Sequence, residues 1–138
     1  MTRYLMFFDD YPLASENQIF LLNLRDAFRN TDVEIEEAKT VPHLEQALSA
    51  RTYDAIILDV MAALPDAPDL EALAGIEVLR RCRAGVYGAF NQNAAIYMRT
   101  ARGELYVRDI AAKLGSKGYF RPGSDDDDLL AALVALFT

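Results

Sequence analysis

RYLMFFDD (residues 3–10) is an almost continuous apolar run that ends abruptly on two adjacent carboxylates, Asp9 and Asp10. An apolar run this short, closed by a turn-like DDYP, reads as a strand buried on both faces, the kind that helix-covered parallel sheets contain. Adjacent like charges repel and resist leaving water. Either the pair lies in a solvated loop, or something positive sits between its members.

The same pattern recurs further on. YDAIILDVM carries a second strongly apolar strand, Ala55–Leu58, and it too runs straight into an aspartate, Asp59. VEIEEA (33–38) alternates like a half-buried strand, AAIYM (94–98) is another buried one, and KGYF (117–120) forms a last short one. Between them lie helical patterns. From Ser15, Ile19, Phe20, Leu22, Leu24 and Phe28 recur at helical spacing, with Ser15 as the expected cap. Residues 40–50 read as a short helix with Thr40 at its start and Pro42 in its first turn. A third helix is expected from about Ile76, a fourth within 103–115 and ended by Gly115, and a fifth after Ser124 as cap. Residues 62–74 read as a long loop with a helical turn. Strands alternating with helices in this way predict an α/β fold, a doubly wound five-stranded parallel sheet with five helices. No linker or internal repeat divides the chain, so residues 1–138 read as one domain.

Charge and composition narrow the function. The chain of 138 residues has 21 acidic against 14 basic side chains, a net charge of −7, which argues against direct binding to nucleic acid or an anionic membrane. Cys82 is the one cysteine, so no internal disulfide forms. There is no signal-peptide pattern and no run long enough to span a bilayer, and a cytoplasmic domain is expected. His43 is the one histidine; it follows a proline in a short helix and reads as exposed surface, leaving no Ser–His or Cys–His pair. Cys82, between arginines, reads as a half-buried thiol. No GxGxxG or P-loop pattern supports a nucleotide site. The run Asp125–Asp128 reads as a solvated first helical turn, negative charge at the positive end of the helix dipole.

In open parallel sheets ligands sit beyond the carboxyl ends of the strands. There the first strand delivers Asp9 and Asp10, and the third delivers Asp59. If these strands are neighbours, three carboxylates converge, and a hard divalent cation with oxygen ligands is the natural counter-charge. Mg²⁺, which keeps several waters and takes one or two carboxylates, suits such an open edge.

FFDDYP, IILDVM, GIEVLRRCR, IYMRTA and GSKGYFRP follow one another in the chain, each at a strand end or helix start. In this succession the chain resembles the response-regulator receiver domain of two-component signalling over nearly its whole length. The resemblance implies the flavodoxin-like strand order 2-1-3-4-5. It implies that Asp59 is the phosphoacceptor and that Asp10 is a direct Mg²⁺ ligand. Asp9 then ligates through water or supports the site, and the Met61 carbonyl is a further ligand. Thr100 takes the place of the switch hydroxyl and Tyr119 that of the switch aromatic. The implied partners are a sensor histidine kinase or phosphotransfer protein and a downstream protein, with a homodimer also open. FFDDYP also invites comparison with aspartate-nucleophile phosphatases of the haloacid dehalogenase type, but those need a second aspartate where Tyr11 stands.

Three departures from the receiver pattern matter. Receivers carry Lys-Pro after the last strand; here Arg121-Pro122 stands there, one residue early when counted from Thr100. Arginine can replace the charge of that lysine but not its compact shape, and a one-residue shift reverses side-chain direction unless a turn compensates. The span from Asp59 to Gly75 is about twice the usual, so 62–74 reads as an insertion: a lid, a partner surface or, the favoured reading, a loop the fold tolerates. No output domain follows the last helix, which fits either a stand-alone receiver or a piece of a longer protein. Two functions follow. One is a Mg²⁺-dependent phosphoacceptor, not an enzyme in the usual sense, whose acyl phosphate is slowly lost to water at a rate tuned by Met61 and Arg102. The other is a degenerate receiver that binds partners without phosphorylation.

Overall fold

The computed structural model describes residues 1–9, 14–60, 62–64, 67–101 and 104–138, with the segments 62–64 and 67–72 described by their backbone alone. Five parallel strands make the main sheet: β1 (Arg3–Phe8), β2 (Val33–Ala38), β3 (Ala55–Leu58), β6 (Ala95–Arg99) and β7 (Gly118–Phe120). Their spatial order is β2-β1-β3-β6-β7, which is 2-1-3-4-5 when only these five are counted. The helices are α1 (Ser15–Ala27), α2 (Val41–Ala50), α3 (Ala74–Arg83), α4 (Leu105–Lys113) and α5 (Asp126–Phe137). The expected doubly wound architecture is therefore present.

Side-chain alternation along the strands builds two cores, one on each face. Met6, Phe8, Ile56, Leu58, Ile96 and Met98 point to the face covered by α2, α3 and α4. Leu5, Phe7, Ala55, Ile57 and Tyr97 point to the face covered by α1 and α5, against Phe20, Leu24, Leu129 and Leu133. Phe7 meets Phe20 edge-on at 5.5 Å, a geometry aromatic pairs favour.

Several local expectations are corrected. Residues 62–74 are not a loop with a helical turn: β4 (Ala62–Leu64) and β5 (Ala67–Ala72) pair antiparallel, with a register shift between Ala63 and Leu64. Pro68 lies in β5, where a two-stranded ribbon tolerates it because each strand is an edge. The prolines and alanines of this segment hid the strand period. Helix α3 begins at Ala74, two residues before Ile76. Ser15 is the first residue of α1 and Ala14 precedes it as N-cap without a side-chain bond; Asp125, not Ser124, occupies the N-cap position of α5. Thr40 does cap α2, its hydroxyl accepting from the His43 N–H at 3.2 Å. Gly115, at φ +81°, ends α4 with the Ser116 N–H donating back to the Ala111 carbonyl.

The edge of the sheet opposite the strands' carboxyl ends is pinned by one polar residue. Asn91, 1% exposed, accepts from the Tyr53 N–H at 2.7 Å and donates to the carbonyls of Leu48 and Arg51, each at 2.8 Å. Asn91→Ala strips partners from three backbone groups at once. It is expected to cost about 3 kcal/mol of stability, read as a lowered urea midpoint with an unchanged slope.

Candidate functional site at the carboxyl edge of the sheet

Asp9 and Asp59 each stand one residue beyond a strand. Phe7 pairs with Ile57, so two residues later Asp9 and Asp59 leave the sheet side by side, on strands about 4.8 Å apart. Asp9 is only 4% exposed; its own N–H donates to the Ala38 carbonyl at 2.9 Å. Its Oδ1 accepts from Asn17 Nδ2, in the first turn of α1, at 2.9 Å. Asp59 is half-buried. Thr100 follows β6 on the neighbouring strand, is 3% exposed, and is tied to β7 by its N–H on the Phe120 carbonyl at 2.9 Å. Tyr119, in register with Met98, packs against the α2–α4 core, with the Arg108 guanidinium carbon 5.3 Å from its ring centre. Asp10, Met61 and Arg102 lie outside the described residues.

Asp9, Asp59 and Thr100 are thus brought to the carboxyl ends of three adjacent central strands. Among the described residues no group of three or more His, Cys, Asp or Glu is gathered to hold a metal. The two described carboxylates nevertheless offer the hard oxygen donors that a cation of the Mg²⁺ kind takes. Arg121 is exposed just past β7. Its backbone N–H donates to Asp125 Oδ2 at 2.7 Å.

The position of Asp59 depends on a glycine. A Cβ on Gly75 would lie 1.9 Å from the Asp59 carbonyl oxygen, and the Gly75 N–H donates to the Val60 carbonyl at 2.9 Å. The start of α3 is therefore pressed directly against the end of β3, a contact that only glycine permits.

The residue that sequence reasoning missed is Arg99, the last of β6 and 4% exposed. It points to the α1/α5 face, with its guanidinium carbon 4.5 Å from the Phe20 ring centre. Nε and one terminal nitrogen donate to the two carboxylate oxygens of Asp126 at 2.8 and 3.0 Å. The other terminal nitrogen donates to Asn17 Oδ1 at 2.6 Å. Asp126, read as one member of a solvated acidic turn, is instead the counter-ion of a buried cation. It also accepts from the Gly123 N–H at 2.9 Å. The signal in the sequence was an arginine at an inward position of an apolar strand, the parity of Ala95 and Tyr97. His43 is exposed, as expected. Cys82 is buried more deeply than expected, at 2% exposure, and burial pushes its thiol upward against the opposing pull of Arg83.

No protein-family model matches the chain. In sequence it is 33% identical over 137 residues to the response regulator ArlR of Staphylococcus saprophyticus, covering 99% of this chain and 52% of that protein. The chain thus spans about half the length of the curated relative it matches. In structure it is similar to the receiver domain of the Francisella response regulator 1452, at a TM-score of 0.69 and 19% identity, covering 99% and 97% of the two chains. A response regulator protein from Burkholderia pseudomallei, with a phosphorylated aspartic acid, calcium ion and citrate, is similar at a TM-score of 0.64 and 17% identity. That match covers 95% of this chain and 66% of the other. No helix among the described residues is long and apolar enough to cross a membrane.

The contact between α3 and β3 makes a direct prediction. Gly75→Ala is expected to destabilise the fold by about 3 kcal/mol or to displace the Asp59 carbonyl. Thermal unfolding checks the first effect and a crystal structure of the variant the second.

Proposed function

We propose that this chain, a member of the response-regulator receiver family, accepts a phosphoryl group on Asp59 within a two-component phosphorelay. The observation that carries the proposal is the pairing of Asp9 with Asp59 at adjacent strand ends, with the buried Thr100 on the next strand. The phosphorylated aspartic acid in the Burkholderia neighbour supports it by likeness.

In the proposed reaction a carboxylate oxygen of Asp59 attacks phosphorus, the phosphorus–nitrogen bond of a phosphohistidine breaks, and an acyl phosphate is left on Asp59. Slow attack of water on that phosphorus returns the free carboxylate. Asp10, Asp9, Asp59 and the Met61 carbonyl are the proposed holders of Mg²⁺, which would neutralise the charge that spreads over the phosphoryl oxygens. Thr100 can donate one hydrogen bond to a phosphoryl oxygen. Tyr119 packs beside β6, so movement of Thr100 toward the site would free room for that ring to follow. Arg121, exposed at the same edge, is the proposed stand-in for the usual lysine.

The partners on this reading are a sensor histidine kinase or phosphotransfer protein and a downstream protein. Residues 1–138 are proposed as one receiver domain, with the β4–β5 pair as an insertion beside the phosphoacceptor strand. A second reading, an interaction module that works without phosphorylation, is favoured by that hairpin and by the replacement of Lys-Pro with Arg121-Pro122.

Intact mass after incubation with acetyl phosphate and Mg²⁺ separates the two. One phosphoryl adduct is expected on the wild type and none on Asp59→Asn, and Asp10→Ala should lose most of the adduct together with its Mg²⁺ dependence. An adduct that survives Asp59→Asn would remove Asp59 from its role. An unmodified wild type, beside a control receiver labelled in parallel, would favour the interaction module.

A further inference from the structure

The proposed metal site contains a polar chain that none of its assigned residues explains. It runs from Asp126 in α5, through Arg99 in β6 and Asn17 in α1, to Asp9 after β1. We infer that Arg99 and Asn17 are positioning residues for Asp9, setting its carboxylate for a divalent cation. This inference rests on the phosphoacceptor reading above, in which Asp9 belongs to the Mg²⁺ site.

The chemistry of each link leaves little freedom. A guanidinium has donors only, so the side-chain oxygen of Asn17 must face Arg99. The amide is planar, and its NH₂ group is therefore turned the other way, onto Asp9 Oδ1 at 2.9 Å. Arg99 is itself immobilised, held by both oxygens of Asp126 and stacked near Phe20 in a site closed to solvent. One carboxylate oxygen of Asp9 is thus oriented through two rigid side chains before any cation arrives.

The neutral amide also matters electrostatically. Asp126 neutralises Arg99, and Asn17 stands between Arg99 and Asp9. Had the guanidinium paired directly with Asp9, it would compete with a cation for that carboxylate. With the amide interposed, Asp9 gains an orienting hydrogen bond from a neutral group, and Arg99 does not compete for its carboxylate. Outer-shell hydrogen bonds of this kind commonly govern metal affinity by about 10–100-fold.

Calorimetric titration of Mg²⁺ into the full chain tests the inference. Asn17→Ala is expected to weaken Mg²⁺ binding about tenfold; it also takes an acceptor from the buried Arg99, so the melting temperature in EDTA should fall by a few degrees with the fold intact. The double variant Arg99→Met/Asp126→Leu removes the buried pair without orphaning a charge and should weaken binding by a similar factor. Adding Asn17→Ala to it should cause little further loss, since the groups act in series. Unchanged Mg²⁺ affinity in Asn17→Ala, with a wild type that binds Mg²⁺ and is phosphorylated, would overturn this inference and leave the phosphoacceptor reading standing. Fully additive losses would remove Arg99 from the relay. A wild type that binds no Mg²⁺ at millimolar concentration would overturn both. Should the double variant fail to fold, Asn17→Ala decides alone.

Discussion

Parallel pairing of β1 with β3 is the constraint on which the rest of the edge depends. Leu5, Met6 and Phe7 stand opposite Ala55, Ile56 and Ile57, and that register has no slack. A slip of one residue would turn every core side chain of one strand to the wrong face. The apolar burial on both faces therefore holds the register, and the register brings two carboxylates side by side. Burial of Leu5–Phe8 and of Ala55–Leu58 offsets the repulsion expected between the Asp9 and Asp59 carboxylates.

Two further contacts keep that edge rigid. Gly75 brings the start of α3 onto the Asp59 carbonyl and donates its N–H to Val60, so these two residues are held against the helix start. Arg99 ties β6 to the starts of α1 and α5 by way of Asn17 and Asp126. Burying a guanidinium is costly unless its donors are satisfied and its charge is paired. Here Asp126 pairs the charge, Asn17 and the Glu16 carbonyl accept from the terminal nitrogens, and the group joins three elements that approach the same edge. Thr100 follows Arg99 directly, so any motion of Thr100 begins from a fixed point.

Much of this was legible in the chain before any coordinates. Short apolar runs ending on Asp9 and Asp59 identify buried strands and their carboxyl ends, because a strand covered on both faces has no room for alternation. Helical periodicity located the five helices to within a few residues. Where local signals compete, the reading failed. Ser15 and Ser124 have cap chemistry, yet the chain enters its helices one residue away, at Ala14 and Asp125. Pro65 and Pro68 masked the β4–β5 ribbon, because its stability lies in pairing between two segments and not in the pattern of either.

The resemblance to receivers supplied Thr100 and Tyr119; by itself the sequence determined the α/β class and the strand ends that carry Asp9 and Asp59. Those follow from local hydrophobic pattern and chain order, which do not need distant partners. Only the tertiary structure decided that Asp126 leaves its acidic run to pair with Arg99, and that Asn17 turns its amide toward Asp9. These choices join residues 27 and 82 positions from Arg99. Nothing in their neighbourhoods distinguishes them from exposed polar residues. They are fixed by the requirement that a buried charge find every hydrogen-bond partner it needs, and only the packed sheet shows which groups are within reach.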